Sequence, residues 1–158
     1  MNKFIEIDNY ISNNYIEPFQ FREKAASFQK VEALYENSYS INIDNIETTF
    51  TEHLLNLIDN KELTDPDVYK KAFIDRKLFS KIRNDKYYNP SKKTAISFSI
   101  ALELSLEETN TLLEKAGYTL SKSSKFDLII EYFIINKIYN IQEINEALYH
   151  YNEPLLSN

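Results

Sequence analysis

Half of the chain's cationic side chains fall between residues 70 and 93: Lys70, Lys71, Arg76, Lys77, Lys81, Arg83, Lys86, Lys92 and Lys93. Ammonium and guanidinium groups gathered this closely do one kind of chemistry well, which is holding anionic oxygens, above all those of phosphate. Only Asp75 and Asp85 oppose them, so the stretch carries nine basic and two acidic residues, a local charge of +7. The other residues hold 9 basic and 22 acidic groups, −13, within a formal total of −6. Such a separation describes a basic docking face on an acidic body. The alternative is a solvated basic face that pairs with carboxylates elsewhere in the fold.

Other chemistry is thin. Zero cysteines exclude disulfides, thiolate metal sites and thiol nucleophiles. His53 and His150 lie far apart without the neighbouring carboxylate and serine pattern that would orient an acid–base group. Glu107, Glu108 and Glu114 fit helix starts and a solvated face, with no metal implied. A single glycine cannot build a phosphate-cradling loop. The expectation is a protein that binds, not an enzyme, with no cofactor.

The elements that must position the basic stretch read as helices. At 158 residues, 43% hydrophobic and 14% aromatic, the chain can bury a core. One glycine and four prolines leave few hairpin turns. No apolar run reaches the roughly twenty residues of a membrane span, and the start MNKFIEIDNY lacks a signal peptide's apolar middle. The expected location is cytoplasmic.

Residues 1–47 read as an N-terminal helical extension, with an amphipathic helix from Phe19 to Tyr35 and a linker or short extended piece at Ser38 to Ile46. A helix fits Thr48 to Asn60, with Phe50, Leu54, Leu57 and Ile58 on one face. Thr64 or Asp65 then caps DPDVYKKA, and Pro66 suits an early helical position. After a corner at Phe73 and Ile74, Asp75 caps RKLFSKIRN, whose inward residues are Leu78, Phe79 and Ile82. Ser91 caps a helix running to Leu104. Ser105 starts another, with Glu108 in capping-box position and Gly117 closing it. Two apolar helices follow, near Lys125 to Asn136 and Gln142 to Tyr151. The first is apolar around most of its circumference, so either the chain or a second copy must bury it.

From Phe50 to Tyr118 this order of helices and signals resembles the phage-repressor (Cro or lambda-repressor-like) helix-turn-helix family. The resemblance rests on the pair DPDVYKKA and DRKLFSKIRN, the loop ending in Pro90-Ser91, and the Ala-Leu of SIALELSLEE. Ser80, Lys81 and Ile82 fall where that family commonly has Ser-Arg-Ile in its recognition helix. Tyr69 stands where the family prefers a small residue, and Phe73 where it prefers glycine. The stretch also resembles a helical module found at the C-terminal ends of assorted bacterial proteins, some carrying macrodomains, which implies no activity.

The repressor resemblance implies an all-α fold: a five-helix helix-turn-helix domain at 48–120, flanked by the N-terminal extension and a C-terminal apolar helix pair at 121–158. It implies a bacterial or phage transcriptional regulator that binds double-stranded DNA. Arg76, Lys77, Ser80 and Lys81 would reach base edges in the major groove, with Arg83 in the same cationic set. Lys70, Lys71, Lys86, Tyr87, Lys92 and Lys93 would contact phosphates, and the helix start at Ser91 would hold another phosphate oxygen. Tyr87 and Tyr88 could stack on bases, although packing on the domain edge is favoured for both. One recognition helix reads a half-site, so a homodimer is expected. Its interface would use Phe126, Ile129, Ile130, Phe133, Ile144 and Leu148. The competing expectation is a phage-encoded interaction module that inhibits a host defence nuclease, with a host protein as its partner.

Overall fold

Every described helix begins on a side chain that accepts a hydrogen bond from the free amides of its first turn, the role Ser, Thr, Asp and Asn fill best. The computed structural model describes residues 2–18 and 48–157. The expected helix from Phe19 to Tyr35 and the linker at 38–46 lie outside the described residues. Within them are eight α-helices and no strand. Asn2 caps α1 (Lys3–Asn14), Thr49 caps α2 (Phe50–Asn60) and Thr64 caps α3 (Asp65–Lys71). Asp75 caps α4 (Arg76–Asn84), Ser91 caps α5 (Lys92–Ala101) and Ser105 caps α6 (Leu106–Lys115). Ser124 caps α7 (Lys125–Ile135) and Asn140 caps α8 (Ile141–His150). The box expected between Ser105 and Glu108 forms, and matching ones join Thr49 to Glu52 and Thr64 to Asp67.

Six of the eight described helices also end alike. The second residue past α2, α3, α5, α6, α7 and α8 lies in the left-handed region: Glu62, Phe73, Glu103, Gly117, Lys137 and Asn152. In each case the next amide donates back over the last turn, as Leu63 does to the Ile58 carbonyl (3.2 Å) and Ile74 to that of Tyr69 (2.8 Å). Left-handed backbone costs an L-residue about 1–2 kcal/mol. The recovered hydrogen bonds offset it, joined by the apolar contact of the following residue everywhere but at Glu153. This corrects the helix expected to run to Leu104: α5 ends at Ala101, because Glu103 turns at φ 52° and drops Leu104 into the core.

The core is continuous from the first helix to the last. α5 lies at its centre, with Ala95 through Ala101 all buried. It packs on α3 and α6; α2 packs on α4 and α6, and α3 on α4. α7 packs on α6, α8 and α1. Burying one large aliphatic or aromatic side chain contributes about 1.5–3 kcal/mol, so α7, buried from Asp127 to Ile134, is a main stabilising element.

That burial corrects where the dimer interface was expected. Ile129, Ile130, Phe133, Ile144 and Leu148 are 0% exposed within one chain, and Phe126 is half-buried against the same core. Their surface is already covered, partly by α1, whose Ile7 is itself fully buried. Tyr10 donates to Glu131, Tyr132 to Glu6 (2.9 Å) and Tyr151 to Asp8 (2.7 Å), which ties α1 across α7 and the end of α8. Burial, followed by the Glu131 carboxylate, pushes the Tyr10 hydroxyl's pKa well up. Among the described residues no helix is long and apolar enough to cross a membrane.

Candidate nucleic-acid interface

The corner between α3 and α4 sets this surface. Phe73 takes φ 55°, the conformation glycine adopts most easily. Its ring is 53% exposed, so the bulk that would clash in a tighter corner points to solvent. Tyr69 is accommodated as well, with its half-buried ring 5.6 Å from that of Phe79. The Asp75 carboxylate accepts from the Lys77 amide at 2.7 Å and starts α4. Phe79 and Ile82 are buried and Leu78 is half-buried. The remaining side chains (Arg76, Lys77, Ser80, Lys81, Arg83 and Asn84) are exposed. A 100° step per residue puts Ser80, Asn84 and Lys77 near the middle of the outward face, with Arg76 and Lys81 flanking them.

Asn84 was not singled out by charge or motif, yet it sits one turn beyond Ser80. Its amide donates to the Ser80 carbonyl at 2.9 Å and lies 3.3 Å from the Ser80 hydroxyl. Its place four residues after Ser80 and seven after Lys77 was the available signal. Between α3 and α4 runs an open groove of about 470 Å³, lined by Asp65, Tyr69, Arg76, Ser80 and Arg83 among others.

The nine cations divide into two sets. Four are ion-paired: Lys71 with Glu103 (2.8 Å), Arg83 with Asp65 (2.8 Å), Lys86 with Glu52 (3.1 Å) and Lys92 with Asp127 (2.8 Å). The first three pairs are solvent-exposed, so a phosphate could displace the carboxylate at small cost. The Lys92 pair differs. Asp127 is 1% exposed and also accepts from the Ser121 amide at 2.8 Å. Lys92 is therefore corrected from a phosphate contact to a tie between α5 and α7. The Ser91 hydroxyl accepts from the Thr94 amide at 3.2 Å, and so serves first as a helix cap. Lys70, Arg76, Lys77, Lys81 and Lys93 make no ion pair among the described residues.

The loop after α4 is held from below. Buried Thr51 places its hydroxyl 3.3 Å from the Ile82 carbonyl and 3.1 Å from that of Asp85. The Tyr87 amide donates to the Asp85 carboxylate at 3.0 Å. Tyr88 packs half-buried against the core, as expected. Tyr87 does not pack: its side chain stands 77% exposed, which corrects the edge-packing expectation.

The histidines have structural roles. His150 stacks on Phe4 with ring centroids 4.1 Å apart. Burial, helped by Lys115, holds the His53 imidazole below its usual pKa. No cluster of three or more His, Asp or Glu among the described residues could hold a metal ion. No family model, curated protein or solved structure matches the chain.

Proposed function

We propose that the chain binds double-stranded DNA as a transcriptional regulator, with α3 and α4 acting as a helix-turn-helix and α4 as the reading helix. One observation carries this: α4 turns Arg76, Lys77, Ser80 and Lys81 to solvent, and its three cations at those positions have no ion-pair partner among the described residues. Arg76 and Lys77 can approach guanine edges in a major groove, and Ser80 and Asn84 can donate to or accept from either base type. Lys81, Lys86 and Lys93 would meet phosphates flanking the reading helix. Each chain offers one reading helix and therefore one half-site. A second copy would need a surface other than the α7–α8 pair.

The double substitution Arg76→Ala, Lys77→Ala tests the assignment in a binding titration against genomic fragments. Affinity should fall about tenfold or more, with loss of preference among fragments. The unsubstituted protein's affinity should fall steeply with salt. Unchanged affinity and selectivity would overturn the reading.

A second reading, an interaction module that occupies a host defence nuclease, is favoured by the acids at the start of α3. Asp65 and Asp67 stand in its first turn, the place where a docked helix-turn-helix commonly rests helix amides on a phosphate. A pull-down from host lysate that retains one stoichiometric protein, with no DNA shift, would select that reading over the first.

A further inference from the structure

A tyrosine ring that stands in water on a fixed loop leaves apolar surface uncovered, and a rigid aromatic with few rotatable bonds is an economical contact for a partner. Tyr87 is such a ring, 77% exposed between the reading helix and the start of α5. Its backbone is anchored at the start of a short loop, through Asp85. Asp85 accepts from the Tyr87 amide through its side chain and from the Tyr88 amide through its carbonyl (3.1 Å), while Thr51 supports the same carbonyl from the core.

Cations lie against the rings of this loop, and the carboxylates of Asp85 and Glu52 sit behind them. The Lys86 ammonium lies 5.6 Å from the Tyr87 centroid, and Glu52 holds that ammonium at 3.1 Å from the α2 side. The Lys81 ammonium lies over the neighbouring Tyr88 ring at 5.8 Å. With its exposed pair to Glu52 in place, Lys86 covers part of one face of the ring. The rest of the ring is open to solvent.

An exposed aromatic face flanked by ammonium groups fits a partner that presents a flat π surface beside negative charge, which is the chemistry of a nucleobase on its phosphate backbone. Inside a duplex both faces of a base are already stacked, so Tyr87 has nothing to cover there. We infer that Tyr87 stacks on an unpaired base, so that the interface prefers nucleic acid with a base out of the helix next to the segment read by α4. The inference rests on the DNA-binding reading and deepens it.

The test uses the full chain and two fluorescent oligonucleotides, a duplex and the same duplex with one unpaired base near its centre, titrated by anisotropy. Unsubstituted protein should bind the bulged form more tightly. Tyr87→Ala should weaken bulged binding about ten- to hundredfold, the cost of deleting one stacked ring, and change duplex binding by less than about threefold. Tyr87→Phe should keep the preference, because stacking needs the ring and not the hydroxyl. Equal binding of the two oligonucleotides, equal loss on both with Tyr87→Ala, or a Phe variant as weak as the Ala variant would each overturn the inference. If Arg76→Ala, Lys77→Ala abolishes duplex binding while Tyr87→Ala changes nothing, only the stacking falls. If the unsubstituted protein binds neither oligonucleotide, both readings fall.

Discussion

α4 and α7 are helices of similar length built on opposite terms. α4, RKLFSKIRN, buries one narrow apolar edge and turns every charged group to solvent. α7, KFDLIIEYFII, is buried from Asp127 to Ile134 and carries two acids inside. Glu131 accepts from Tyr10 and pairs with Lys122, and Asp127 pairs with Lys92. Three of the four cations on α4 are available to a partner, whereas both acids on α7 are committed to joining segments of this chain. A cation's role is therefore read from the burial of its carboxylate, not from its own position in a basic run.

Asp127 and Asp65 give the sharpest contrast, since each holds one cation at 2.8 Å. Asp127→Ala should lower stability by about 3 kcal/mol in urea denaturation, because it leaves the Lys92 ammonium and the Ser121 amide without their acceptor. Asp65→Ala should cost less than about 1 kcal/mol, since its pair with Arg83 is solvated. Equal costs would erase the distinction between the two regions.

At the corner itself, Phe73→Gly should raise stability by about 1 kcal/mol, by relieving left-handed strain at a mostly exposed ring. Calorimetry would show it as a higher melting temperature. A loss instead would mean that the ring's remaining contacts outweigh the strain.

The smallest lever is pH, acting where α2 meets α6. Because the His53 imidazole is held below its ordinary pKa, first by burial and then by Lys115, the folded chain binds fewer protons there than the unfolded chain. Its contribution is complete above about pH 6.5 and is lost as pH falls through the depressed folded value. His53→Gln should flatten the decline in melting temperature between pH 7.5 and 5.5 relative to the unsubstituted protein. Parallel curves would remove His53 as the cause.

Caps were legible because they are local. Thr64, Asp75, Ser91 and Ser105 each satisfy amides two or three residues away, so position along the chain suffices to find them. The stop after Ala101 was missed for a related reason. Glu103 and Phe73 take a conformation that glycine usually signals, in a chain with one glycine. For the site, exposure of Arg76, Lys77, Ser80 and Lys81 followed from helical periodicity. The same periodicity places Asn84 outward, but without charge it drew no notice, and the open ring of Tyr87 left no sign because it lies in a loop without periodicity.

The order of residues alone determined the all-helical class, most helix starts, the inward faces of α2 and α4, and the gathering of positive charge between residues 70 and 93. Tertiary structure decided which of those charges stay available and what covers α7. Lys92 meets Asp127 across 35 residues and Tyr10 meets Glu131 across 121, and such distances leave no periodic trace. An apolar helix states that it must be buried; only packing names α1, α6 and α8 as its cover.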